Sequence, residues 1–152
     1  MREIKYRAWI KKEKRMDDVD FINIAAQFAG KWECKKPDAD LFSDRGDEVA
    51  TRRGRLFNLE DVEIMQFTGL KDKNGKEIYE GDIIKEKDGS KEFRFIKWCD
   101  VESRFMLCSD SRCIQNWNSL GNYCSDENNK ICRNLEIIGN IFENSELLEK
   151  KQ

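Results

Sequence analysis

The chain has 152 residues, 39% hydrophobic and 38% charged, with a formal net charge of −2. The charged share is well above the usual quarter or so, but Phe 9, Trp 4 and Met 4 supply enough bulk for a core, which excludes a disordered chain. The near-neutral balance excludes a global pull toward nucleic acid or anionic membrane, and no apolar run reaches the ~18 residues of a membrane span.

Length and patterning read as a single domain over residues 1–152. The expected fold class is mainly β, a small SH3-like barrel with additional strands and one or two short helices. The opening Ile4–Ile10 alternates apolar with basic side chains, the period of a half-buried strand. Lys11–Arg15 is a charged turn, and Met16–Ile24 returns. Residues 21–30, with Ala25, Ala26 and Phe28, fit a helical turn or a buried strand equally well. Residues 31–50 are acidic, carry Pro37 and Gly46, and read as a surface excursion.

Order returns near Arg55, and Val62–Thr68 reads as a strand. Asn74-Gly75 is a tight-turn signal because both residues tolerate positive φ. Gly81-Asp82 precedes a strand at Ile83–Lys85, and Asp88-Gly89 marks a second turn. Glu92–Trp98 has Phe93 and Phe95 on one face, Ile96 and Trp98 on the other. Asp100–Arg104 turns, and Phe105–Cys108 is a further strand. Short strands joined by tight turns suggest a barrel-like unit at about 62–108, completed by N- and C-terminal strands. Residues 109–133 are polar, with Trp117 as an anchor. Leu135–Phe142 reads as a strand, and Asn144 or Ser145 caps a short helix over Glu146–Lys150.

The charge is uneven. Residues 1–15 hold seven basic side chains against Glu3 and Glu13, and residues 16–50 hold nine acidic against four basic. Mutual screening within one fold is the simpler reading. A basic patch used for binding is the sharper one. Its candidates are Lys11, Lys12, Lys14 and Arg15, with Arg94, Lys97 and Trp98 as a basic and aromatic second group.

There is no histidine, which removes the usual general base and the Ser-His and Cys-His pairs. Aligning Gly75 with the invariant glycine of an EF-hand loop puts Leu70 and Gly81 at ligand positions, so calcium binding is not expected. The start lacks the apolar core of a signal peptide, so the expected location is cytoplasmic. There the six cysteines, Cys34, Cys99, Cys108, Cys113, Cys124 and Cys132, stay thiols. Cys108/Cys113 and Cys124/Cys132 make only a weak zinc pattern. No catalytic residue, metal or cofactor is expected.

Three segments together are more distinctive. They are Met1-Arg2-Glu3-Ile4-Lys5-Tyr6-Arg7-Ala8-Trp9, the central run Met65–Ile84 around Thr68-Gly69-Leu70-Lys71-Asp72-Lys73-Asn74-Gly75, and Glu136-Ile137-Ile138-Gly139-Asn140-Ile141-Phe142-Glu143-Asn144-Ser145-Glu146-Leu147-Leu148. In this order they resemble the YopX family of bacteriophage and prophage proteins; residues 25–60 and 99–133 are outside the resemblance. It implies a phage-derived, cytoplasmic, β-rich protein of a bacterial host, containing a small SH3-like barrel and forming a homo-oligomer. It implies no activity and no catalytic residues. The favoured expectation is a non-enzymatic interaction protein that binds a host or phage protein; the alternative is a nucleic-acid-binding SH3-like module.

Overall fold

The computed structural model describes residues 3–23, 48–87, 93–109, 120–123 and 130–149. Strands β1 (Tyr6–Ile10), β2 (Arg15–Asn23), β3 (Glu48–Thr51), β4 (Leu56–Asn58), β5 (Val62–Lys71) and β6 (Glu77–Tyr79) form one antiparallel sheet in the order β4-β3-β2-β1-β5-β6. Strands β7 (Asp82–Glu86), β8 (Phe93–Cys99), β9 (Arg104–Cys108) and β10 (Leu135–Asn140) form a second, in the order β10-β7-β8-β9. Two 3-10 turns, Leu59–Asp61 and Leu120–Tyr123, and one short helix α1 (Glu146–Glu149) complete the described elements.

The molecule is therefore mainly β, as the alternating pattern predicts. The N-terminal strand adds to β5 and the C-terminal strand adds to β7. No closed barrel forms among the described residues, because β5 pairs with β1 over its first half and reaches β6 only across a break in register between Phe67 and Lys71. The link between the sheets and the end of β5 are instead held by single backbone bonds. Gly81 N donates to Ile96 O at 2.8 Å, Ile141 N to Gly81 O at 2.9 Å, and Cys132 N to Lys71 O at 2.7 Å.

The pleat places alternate residues of β1 in different cores. Ala8 and Ile10 join Val49 and Val62, with Val19 and Phe57 packed against them. Trp9 lies on the other face with Met16, Met65, Phe67 and Tyr79, where Phe142 stacks on its ring at 6.0 Å. The largest core lies between the sheets and contains Ile78, Ile84, Ile96, Phe105, Leu107 and Leu135. Burying each such side chain contributes about 1.5–3 kcal/mol of transfer free energy. Phe95 and Ile96 fall in different clusters, as the reading of β8 requires.

Some elements differ from the pattern. The excursion assigned to residues 31–50 ends in β3, whose two-residue apolar run, Val49-Ala50, is too short to stand out among charges. β6 has only three residues and carries no periodic signal. The C-terminal strand stops at Asn140, whose Oδ1 accepts from Phe142 N and Glu143 N and turns the chain. Asn144 Oδ1 accepts from Asn140 N, so this side chain serves the turn before α1. The assignments for residues 24–47, the Asp88-Gly89 turn, Trp117, and Cys34, Cys113 and Cys124 lie outside the described residues.

The Asn74-Gly75 turn forms as expected. Asp72 Oδ1 accepts from Asn74 N and Lys76 N, both at 2.9 Å, its Oδ2 accepts from Ile137 N at 3.2 Å, and Gly75 sits at φ +80°. A Cβ at Gly75 would meet nothing within 4 Å, so the cost of a side chain there is conformational. Gly75→Val should lower unfolding stability by about 1–3 kcal/mol, read as a shift of the urea midpoint at constant slope. An unchanged midpoint would remove the turn's structural role.

Candidate functional site

The seven basic and aromatic candidates occupy two separate places. Lys11, Lys12 and Lys14 form the β1–β2 turn, where Lys14 takes φ +49°, and Arg15 begins β2. Carboxylates pair with three of the four. Lys11 Nζ lies 2.9 Å from Glu63 and donates to Glu60 O at 2.8 Å. Lys12 lies 3.0 Å from Asp61. Arg15 lies 2.7 Å from Glu13 and 3.3 Å from Asp17. Hydrogen bonds from Arg55 and Lys12 hold the Glu13 and Asp61 carboxyls below their ordinary range. Lys11, Lys12 and Arg15 are thus each paired with a carboxylate, two of them with carboxylates of the distant 60–63 segment.

Arg94, Lys97 and Trp98 lie on β8, in the other sheet. Alternation puts Arg94 and Trp98 on one face and Lys97 on the opposite one. Arg94 pairs with Glu86 at 2.8 Å. Trp98 meets Phe105 edge-on at 5.1 Å, still 36% exposed. Beyond it, the β8–β9 turn carries Val101, 91% exposed. Trp98 and Val101, close in sequence on the β8–β9 hairpin, are two of the four exposed large hydrophobic side chains among the described residues, with Ile4 and Leu56.

Where the two sheets meet, Arg7 and Asp82 form a buried ion pair, 2.5 Å from Nη2 to Oδ1. Arg7 is 9% exposed and Asp82 1%. Asp82 Oδ2 also accepts from Tyr79 N at 2.8 Å, and the guanidinium lies over the Tyr79 ring at 4.7 Å. Tyr79 Oη donates to Glu77 at 2.9 Å, and Lys5 lies 2.6 Å from the same carboxylate. Burial, then the Glu77 contact, raises the Tyr79 phenol well above its ordinary value. Burial raises the Asp82 carboxyl, although Arg7 pulls it down. An open cleft of about 460 Å³ lies beside this network, lined by Arg7, Met16, Asp17, Arg53, Glu77 and Tyr79 among others. Arg53 lies 3.4 Å from Asp17, so the cleft's charges are tied to one another. Alternation with basic neighbours reads Arg7 as solvent-facing, and only Gly81-Asp82 at a strand start hinted at its partner.

Cys108 and Cys132 are buried in different clusters, so these two of the four cysteines in the zinc pattern do not share a site. Among the described residues no group of three or more His, Cys, Asp or Glu is placed to hold a metal, and no helix is long and apolar enough to cross a membrane.

A family profile described as YopX protein matches residues 5–149. The chain belongs to the YopX family. Protein EF1440 from Enterococcus faecalis is similar in structure and sequence, with a TM-score of 0.56 and 25% identity over 97% of this chain and 99% of that one. Protein yopX from Bacillus subtilis shares the fold at a TM-score of 0.51 and 18% identity, over 97% of this chain and 98% of that one. No curated protein matches.

In this YopX-family chain, Arg7→Met leaves the Asp82 carboxylate buried without its counter-charge. The expected cost is about 3–5 kcal/mol at neutral pH. Without Arg7 the folded-state pKa of Asp82 rises further above its unfolded value. The variant's native state then binds more protons than its unfolded state, so the deficit shrinks as pH falls. Adding Asp82→Leu should recover most of the loss. Denaturation of single and double variants across pH checks this, and a pH-independent deficit would contradict it.

Proposed function

We propose that the chain is a non-enzymatic interaction protein, phage-derived and working in the cytoplasm of a bacterial host, that binds a protein partner through the β8–β9 tip. The observation that carries this reading is the tip itself. A tryptophan more than a third exposed, braced edge-on against Phe105 beside the almost fully exposed Val101, is an unusual surface on a chain with 38% charged residues. Exposed aromatics of this kind are enriched among residues that dominate protein interfaces. The reading is supported further by the chemistry of the other groups. The Arg7, Tyr79 and Asp82 contacts hold the sheets together, and the Asp72 contacts hold a turn.

A second copy of the chain is the first partner to test, because the family resemblance implies self-association. Light scattering of the purified protein measures it directly. Capture from a host lysate, with nuclease-treated and untreated arms, covers other partners. Trp98→Ala should weaken partner binding by about 2 kcal/mol or more, and Val101→Asp should do the same while leaving thermal stability near wild type. Binding unaffected by either change would rule out the tip. Capture that disappears with nuclease would favour the nucleic-acid reading.

A further inference from the structure

The β5–β6 turn holds a reactive dipeptide in solvent. Asn74-Gly75 is the one Asn-Gly pair in the chain, and both residues are exposed. The side-chain amide carbon of an asparagine lies within reach of the backbone nitrogen of the next residue, and bond formation between them closes a five-membered imide. A side chain on that next residue shields its nitrogen, and glycine has none. Asn58 and Asn134 are also exposed, but Leu59 and Leu135 follow them.

The fold exposes this pair and also restrains it. Gly75 N donates to Asp72 O at 3.0 Å. Asn74 Nδ2 donates to Asp72 Oδ2 at 3.4 Å, and Asn74 N to Asp72 Oδ1 at 2.9 Å. The attacking nitrogen and the amide that must leave are thus held by one residue, itself only 1% exposed. The same carboxylate accepts from Lys76 N at 2.9 Å and from Ile137 N at 3.2 Å, which fixes it to the start of β6 and to β10. Attack on Asn74 Cγ requires the bond from Gly75 N to Asp72 O to be released, so the reaction waits on local opening of the turn.

We propose that Asn74 is a site of spontaneous modification, at which the folded chain converts its own asparagine to aspartate and isoaspartate each time the Asp72 turn opens. Gly75 N gives up its proton to solvent and attacks Asn74 Cγ. The N–Cγ bond forms, the Cγ–Nδ2 bond breaks, and Nδ2 takes a proton from water and leaves as ammonia. Water then adds to one of the two imide carbonyls. Opening at the N–Cγ bond gives aspartate. Opening at the bond from Gly75 N to the Asn74 backbone carbonyl carbon gives isoaspartate, whose backbone runs through the former side chain and is one carbon longer. Aspartate replaces a donor to Asp72 Oδ2 with a second carboxylate, and isoaspartate displaces Gly75 N from Asp72 O. Both products weaken the hold of Asp72, the residue that ties this turn to Ile137 of β10.

The test incubates the full chain, folded and unfolded in urea, at neutral and at alkaline pH. Peptide mass spectrometry follows conversion at each asparagine, and electron-transfer fragmentation separates isoaspartate from aspartate. In the folded chain, conversion at Asn74 should outpace that at Asn58 and Asn134 by about tenfold or more, because only Asn74 precedes an unshielded amide. It should quicken as pH rises, because the attacking amide must lose its proton. It should be slower than in urea by the factor that protects the Gly75 amide from hydrogen exchange, because one opening of the turn serves both reactions. Asn74→Gln keeps an amide donor but needs a larger ring to react. This variant should yield no product, and on ageing it should keep the thermal stability that the wild-type chain loses. Conversion confined to the unfolded chain, equal conversion at Asn58 or Asn134, equal rates with and without urea, or equal loss of stability in the glutamine variant overturns the proposal.

Discussion

The ion pair between Arg7 and Asp82 fixes how the two sheets meet. Arg7 comes from the first strand and Asp82 from the first residue of the second sheet. Because both are buried, a guanidinium or a carboxylate in any other packing of these sheets would lose its counter-charge, at a cost of several kcal/mol. The pair itself adds little net stability over a well-packed apolar pair. Its role is specificity: Tyr79 N and the Tyr79 ring pack around it, and Gly81, beside Asp82, is bonded through its N and O to Ile96 and Ile141 of the second sheet's ladders. The stack of Trp9 on Phe142 then seals the same face with the chain's C-terminal turn.

Charge in this molecule is organised in space rather than along the chain. The basic start looks like a binding arm when read in sequence, yet its lysines and arginines meet Glu13, Asp61, Glu63 and Glu77. Such exposed pairs contribute little stability individually, but together they offset the charge of Lys5, Lys11, Lys12 and Arg15. At 71–73, 85–87 and 130–134 the carboxylates of Asp72, Glu86 and Glu136 are engaged, while Lys85, Lys87 and Lys130 are exposed to solvent. The cleft where β7 and β10 meet the β5–β6 turn is lined by both signs, Lys73, Lys85 and Lys87 with Glu86 and Glu136.

Alternation and turn chemistry determined most of the strands from sequence alone. The periodic runs at Ile4–Ile10, Val62–Thr68, Glu92–Trp98 and Leu135–Phe142 needed only the two-residue repeat of a pleated strand, and Asn74-Gly75 needed only the positive φ that glycine tolerates. The family was also legible, because its marks are local runs at both ends and in the middle of the chain. Tertiary structure decided what depends on contacts between distant residues. It took Arg7 out of solvent by placing Asp82 against it, divided the strands between two sheets where a small SH3-like barrel with additional strands was expected, and recovered β3 and β6, which are too short to show a period. It also paired Lys11 and Lys12 of the basic start with carboxylates about 50 residues away, Glu63 and Asp61. Charge is a property of each residue, whereas the field it leaves at the surface depends on which opposite charges the fold brings within a few ångströms.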